Sequence, residues 1–230
     1  MITSMAEQGS SEWLAERSGK VSASCFCNIL TSKGAKTTGE TRKKYLYKLV
    51  GERISGEPEE TFKNEWMQRG NDLEPEARET FERKTGLFVA QVGMVYLDER
   101  RTISCSPDGI IGDDSGLEIK CPKLSTHIDY IITDKLPTAY VQQVQGSMMV
   151  CNRQSWNFMS YHPLVRELSL LVERDDKYIS ILREAVEEFA AEVECLIEKL
   201  GGQPIKKEMV INKTEIPRSG VSTVSKEDFF

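Results

Sequence analysis

Histidine is nearly absent: His127 and His162 are the only two in 230 residues, and neither lies beside a cysteine pair. A zinc-binding module, which wants four nitrogen or sulfur ligands at set spacings, is therefore the weakest reading. Six cysteines (Cys25, Cys27, Cys105, Cys121, Cys151 and Cys195) are scattered, and the only close pair is Cys25-x-Cys27. There is no repeated C-x-x-C, and residues 1–13 lack the basic and apolar regions of an export signal. A disulfide framework is not expected, and the thiols read as buried and reduced. No stretch approaches the roughly 18 apolar residues of a membrane span. The expectation is a cytoplasmic protein with no membrane contact. Basic excess is also missing, since 30 Lys and Arg against 36 Asp and Glu leave a net charge of −6. That excludes a protein that coats nucleic acid through a globally basic surface, but not an enzyme that grips it in a local groove.

What is present is the profile of an ordinary globular chain, 39% hydrophobic and 29% charged, long enough for one substantial core. A single domain is expected over residues 1–202. The polar, weakly patterned tail over 203–230 reads as an extended arm or a disordered segment. The first half is helical, with a short serine-started helix over 11–17, another over 22–30, a mobile loop over 32–39 and a basic helix over 40–54. A further helix is expected over 74–84, with Pro75 in its first turn. The period then switches to strands over 92–97, 102–105 and 116–121, the last two joined through a turn-rich 112–116. A helix over 138–150 and strands over 155–161 and 167–173 follow. The closing helix carries a stripe at Leu182, Val186, Phe189, Val193, Leu196 and Leu200 before Gly201-Gly202, spaced as a core-facing face. This order predicts an α/β fold with a mixed central β-sheet flanked by helices.

The chemistry gathers in Ser106-Pro107-Asp108-Gly109 and Gly116-Leu117-Glu118-Ile119-Lys120. A hairpin linking the two sets Asp108 at the end of one strand and Glu118 on its neighbour. Glu118 and Lys120, two apart, share a face. Two carboxylates suit a hard dication such as Mg²⁺, and an ammonium beside them can orient or help deprotonate a water. Glu-x-Lys alone means little, because Glu82-Arg83-Lys84 repeats it on a helix, where the two side chains point about 200° apart. Glu118 and Lys120 can equally be a solvated strand face with a cross-strand pair, and Asp108-Gly109 a simple turn.

Pro107-Asp108 followed by Glu118-Ile119-Lys120 resembles the PD-(D/E)xK nuclease motif. Five blocks, two of them containing these residues, resemble the phage lambda exonuclease family of YqaJ-like viral recombinases and alkaline exonucleases. They are Trp13-Leu14-x-x-Arg17-x-Gly19-x-x-Ser22-Ala23-Ser24, Arg69-Gly70-x-x-x-Glu74, Ser104 to Gly109, Gly116 to Pro122, and Ala139-Tyr140-x-x-Gln143-Val144-Gln145-x-Ser147-Met148. All lie in the family's order, over most of the chain. The resemblance implies a PD-(D/E)xK restriction-endonuclease-like core. It implies an Mg²⁺-dependent exonuclease that degrades one strand of a double-stranded DNA end from 5′ to 3′, as a ring-shaped homotrimer. The setting would be phage or prophage recombination in a bacterial cytoplasm, beside a single-strand-annealing protein.

By the same resemblance, Asp108, Glu118 and the backbone carbonyl of Ile119 would hold catalytic metal in a two-metal site completed by Glu74, with Mn²⁺ as a substitute. Lys120 would position or activate the water, and Gln143 and Tyr140 would support the site. Arg17, Ser24 and Ser106 would grip the 5′-phosphate by charge-assisted and hydroxyl contacts. Pro75 after Glu74, and the tail beyond Gly201, depart from the family pattern. At net −6 a processive enzyme must enclose its DNA rather than attract it. The helix bearing Arg42, Lys43, Lys44, Lys48 and Arg53 is a candidate channel lining, or else a solvated basic face. Two rival readings stay open: an endonuclease, nickase or junction resolvase on the same scaffold, and a non-catalytic DNA-end-binding protein.

Overall fold

The computed structural model describes residues 1–59 and 65–203, so nearly all of the expected tail lies outside the described residues. Helix α1 (Ser11–Arg17) starts where Ser10 accepts from the Trp13 amide, the side-chain cap that serine supplies best. Strands β1 (Ile2–Thr3), β2 (Val21–Ser22), β3 (Val95–Tyr96) and β4 (Ile103–Cys105) form one sheet in the order β1-β3-β4-β2, with β2 parallel to β4. Strands β5 (Gly109–Ile111), β6 (Ser115–Lys120), β7 (Ser155–Ser160) and β8 (Leu168–Glu173) form the second in sequence order, with β6 parallel to β7. The fold is mixed α/β of the PD-(D/E)xK type, its strands divided between two mixed sheets. The parallel β6–β7 pair needs a crossover, which α4 (Leu124–Thr133), a 3₁₀ turn at Thr138–Tyr140 and α5 (Val141–Cys151) provide.

Alternation along the second sheet feeds two cores. Leu117, Ile119 and Met159 pack with Ala77 and Phe81 of α3 (Glu65–Thr85). Trp156 and Phe158 join the larger core with α5, α2 (Glu40–Ser55) and α6 (Asp176–Lys199). A Cβ on Gly116 would meet the Trp156 ring at 2.4 Å, so the indole fixes that position as glycine. On α6 the expected stripe is buried at Leu182, Val186, Phe189 and Val193, and Tyr45 of α2 stacks on Phe189 at 5.4 Å. Leu200 lies past the helix end at Lys199 and is exposed, and Leu196 is only partly covered; Ile197, four residues after Val193, takes the inward place.

Several expectations are corrected. The helix expected over 22–30 is β2 followed by a 3₁₀ turn at Ala23–Asn28. Pro75 lies inside α3, not in a first turn. Proline removes one helical bond to the carbonyl four residues back, and that residue, Asn71, lines an open cavity. The helix is held on both sides of Pro75, by Arg69 donating to the Cys121 and Pro122 carbonyls before it and by the buried Ala77 and Phe81 after it. Asp108 precedes a separate strand, β5, rather than ending β4. The loop over 32–39 closes on itself through the Thr31 amide to the Ala35 carbonyl at 2.8 Å and the Thr37 amide to the Ile29 carbonyl at 2.9 Å. Of the six cysteines only Cys105 and Cys151 are buried, and Cys27 and Cys195 are exposed. Among the described residues, no helix is long and apolar enough to cross a membrane.

Candidate active site

Asp108 sits one residue before β5, opposite Glu118 in the antiparallel register that pairs Gly109 with Leu117. Its amide donates to the Leu117 carbonyl at 3.2 Å, and its Oδ2 accepts from the Ile119 amide at 2.6 Å. Gly109 is glycine because of Val89, whose Cγ1 lies 2.0 Å from where a Cβ would stand. The Pro-Asp-Gly run is thus a strand entry against the segment at Ala90, which bridges Ile110, and not a free turn.

Glu118 is 1% exposed, which excludes a solvated strand face. Its Oε1 accepts from Lys120 Nζ and from Gln143 Nε2 of α5, both at 2.5 Å. Its Oε2 is buried with no hydrogen-bond partner among the described residues. The Lys120 ammonium also lies 5.2 Å from the Tyr140 ring centroid. Asp108, Glu118, Ile119, Lys120, Gln143 and Tyr140 are therefore brought together as the sequence predicts. Glu74 joins from α3 through Arg78, whose guanidinium pairs with the Glu74 carboxylate and donates from Nε to the Asp108 carbonyl at 3.2 Å.

Electrostatics mark the cluster as short of positive charge. Burial, then the Glu118 charge, pushes the Asp108 carboxyl well above the usual carboxylate range. Burial raises Glu74 too, with Glu118 adding to the rise and Arg78 opposing it. Burial alone would depress Lys120, but Glu118 and Asp108 outweigh it and hold the ammonium above its ordinary value. Hard oxygen donors, a buried unpartnered carboxylate oxygen and mutually repelling acids suit a dication. Among the described residues, no three acidic, histidine or cysteine side chains converge tightly enough to ligate one as they stand. Lys120 occupies Glu118 Oε1 and Arg78 the Glu74 carboxylate, which leaves Glu118 Oε2 open to a cation while Glu74 would have to share or exchange its contact.

A cavity of about 530 Å³ opens beside Asp108, Glu74 and Arg78 and extends to Trp13, Gln8 and Gln91. Near Trp13 stands the expected phosphate group. Arg17 Nη2 donates to Ser24 Oγ at 2.8 Å, and the guanidinium carbon lies 5.1 Å from the Trp13 ring centroid. Ser106 is not joined to that pair; its Oγ is buried and without a partner among the described residues. The basic helix differs from both expectations. Arg42 pairs with Glu192 at 2.5 Å, Arg53 with Glu194 at 2.7 Å and Lys48 with Glu52 at 3.7 Å. Because α2 packs on α6, which supplies two of these acids, most of its charge is neutralised within the fold. Arg78 and Gln91 were missed, although the four-residue spacing of Glu74 and Arg78 on a helix is a readable signal.

The model of the YqaJ-like viral recombinase domain matches residues 12–154, a window containing every residue of the candidate site. Crystal structures of LHK-Exo, an alkaline exonuclease from Laribacter hongkongensis, are similar at 36% identity, covering 84% of this chain and 96% of that one with a TM-score of 0.77. The same protein in complex with dAMP matches at 36% identity, 83% and 96% coverage, and a TM-score of 0.76. A phage-related exonuclease from Haemophilus somnus, 18% identical over 79% of this chain and 96% of its own, shares the fold at a TM-score of 0.62. ExoD of Escherichia coli is 31% identical over 71 residues, 30% of this chain and 82% of that protein.

Proposed function

Because the chain belongs to the YqaJ-like viral recombinase family, we propose that it is an Mg²⁺-dependent exonuclease that degrades one strand of linear duplex DNA from 5′ to 3′. The 3′ single strand it leaves would serve phage-type homologous recombination. The observation that carries this reading is the Asp108–Glu118–Lys120 cluster, with the buried, unpartnered Glu118 Oε2 at its centre. The similarity to alkaline exonuclease LHK-Exo supports the nuclease class.

Asp108, Glu118 and the Ile119 carbonyl are the groups that would hold the cation, with Glu74 available to a second. Bound Mg²⁺, or Mn²⁺ in its place, would lower the pKa of a water and offset negative charge on the phosphate. Lys120, which donates to Glu118 Oε1 at 2.5 Å, would position or help activate the attacking water and offset charge on the phosphate. Gln143 fixes the Glu118 rotamer through Oε1, leaving Oε2 for the cation. Arg17 and Ser24 form the hydrogen-bonded pair that would receive the 5′-phosphate; two donor types at one anion give a strong, directional contact. With a net charge of −6 and α2 neutralised by α6, broad attraction cannot retain DNA, which supports a ring-shaped homotrimer acting on DNA ends beside a single-strand-annealing protein.

The test is digestion of linear duplex DNA bearing a 5′-phosphate, beside closed circular DNA, in Mg²⁺ and in EDTA. The expected result is Mg²⁺-dependent loss of one strand from its 5′ end with the circle untouched. Cutting of the circle would move the function to an endonuclease or resolvase, and end binding without cleavage would move it to a non-catalytic end-binding protein.

A further inference from the structure

Every nitrogen of the Arg78 guanidinium is engaged. Nε donates to the backbone carbonyl of Asp108 at 3.2 Å, and Nη2 pairs with the Glu74 carboxylate one helical turn away. Gln91 satisfies its amide only with the oxygen turned toward Arg78, 2.7 Å from Nη1. The side chain is 12% exposed and lines the same cavity as Glu74 and Asp108. A guanidinium stays charged at any working pH, and its planar fork is suited to several fixed acceptors at once. Arg78 therefore joins the helix-borne acid to the strand-borne acid and occupies Glu74 with a permanent positive charge.

We propose that Arg78 is a positioning residue that holds Glu74 and Asp108 in place for catalysis while competing with a divalent cation for the Glu74 carboxylate. This rests on the reading that the acids of this site hold a dication. Two consequences have opposite signs. Removing the charge relieves repulsion at the site, so a dication binds more tightly. Removing the fork lets both acids drift, so turnover slows. A residue that merely supports the fold would weaken both together.

The experiment compares wild type with Arg78→Gln and Arg78→Lys. Calorimetric titration of DNA-free protein with Ca²⁺ reads cation affinity, and steady-state digestion of linear duplex DNA with Mg²⁺ reads kcat and KM. For Arg78→Gln the expected result is roughly tenfold tighter Ca²⁺ binding, with kcat reduced about tenfold to a hundredfold and KM unchanged. Arg78→Lys retains the charge but cannot reach three acceptors in one plane. Its cation affinity should stay near wild type while kcat falls as it does in the glutamine variant. Should Arg78→Gln fail to fold, the lysine variant decides: wild-type affinity with reduced kcat supports the proposal, and undiminished kcat overturns it. Equal or weaker Ca²⁺ binding by folded Arg78→Gln also overturns it. If wild type neither binds Ca²⁺ nor degrades DNA, both this proposal and the proposed function fall. If wild type does both and only the variants disappoint, the role of Arg78 alone is refuted.

Discussion

Replacing Asp108 with asparagine should make the metal-free protein more stable while abolishing cleavage. In the wild type this carboxyl is raised well above its ordinary range by burial, then by Glu118, with Glu74 adding to both; Lys120 and the Ile119 amide oppose the rise. Asparagine keeps an oxygen to accept from the Ile119 amide, which now lies 2.6 Å from Oδ2, and removes the charge that burial and Glu118 penalise. The lost attraction to Lys120 offsets part of the gain. A net stabilisation of about 1–2 kcal/mol is the scale of relieving such functional strain, and in a domain of this size it raises Tm by about 2–8 °C. The pH sign follows from the direction of the shift. A raised native pKa means that the folded protein holds its proton where the unfolded chain has lost it. The wild-type penalty is therefore fully present above the native value, shrinks as pH falls below it, and is gone only once pH reaches the ordinary carboxyl value of the unfolded chain. Differential scanning calorimetry in EDTA should show the asparagine variant melting higher at pH 8, with the gap closing on acidification. Mg²⁺ should reverse the order, since a ligand at a hundred times its Kd adds about 2.7 kcal/mol and the variant lacks a ligating carboxylate. A variant that melts lower than wild type in EDTA at pH 8 would refute the electrostatic account, as would an advantage that survives saturating Mg²⁺.

Lys120→Ala should reduce cleavage about 10²–10⁴-fold while DNA ends are still bound, read by single-turnover digestion beside fluorescence anisotropy in Ca²⁺. Full activity would remove Lys120 from the chemistry. Arg17→Ala should lower the preference for a 5′-phosphorylated over a 5′-hydroxyl end by about tenfold or more, the scale of one lost hydrogen bond to a charged group. An unchanged ratio of kcat/KM values for the two ends would take Arg17 out of the phosphate group.

The parts of the site legible in the sequence are those that neighbouring residues dictate. Glu118 and Lys120 share a face because strand geometry has a period of two, and Asp108 reaches them across a short antiparallel pairing. The α6 stripe and the Ser10-capped α1 are equally local. What escaped reading depends on distant contacts. Gly109 looks like a turn residue, yet it is required by Val89, twenty positions upstream and packed against β5. Pro75 looks like a helix start, yet α3 runs through it, held by Arg69 on the Cys121 and Pro122 carbonyls before it and by the buried Ala77 and Phe81 after it. Strands β1 and β2 span two residues each, too few for alternation to register. In α4 the apolar residues Leu124, Ile128, Ile131 and Ile132 do stand at helical spacing, yet Ile128 and Ile132 are exposed and the buried residue is His127, held by Ser160 Oγ at 2.7 Å and the Arg166 carbonyl at 2.9 Å. The basic face of α2 misled because the acids that pair with Arg42 and Arg53 lie 150 and 141 residues away on α6.

Asp108 also stands where the chain passes from one sheet to the other. Strand β4 ends at Cys105 and β5 begins at Gly109, so Ser106, Pro107 and Asp108 are the whole connection. Proline is well suited to it, with φ set and no amide needing a partner, and Gln8 ties the Pro107 carbonyl at 2.7 Å. Beside β4 in the first sheet lies β2, which leads directly into the turn carrying Ser24 and its Arg17 contact. The second sheet carries Glu118 and Lys120 beside β5. Three residues therefore tie the group proposed to hold a 5′-phosphate to the group proposed to cut. With both ends of so short a link fixed in sheets, the distance from held end to cut bond cannot drift without breaking strand pairing. An enzyme that removes a constant unit from a DNA end needs that kind of fixed spacing between the held 5′-phosphate and the cut bond.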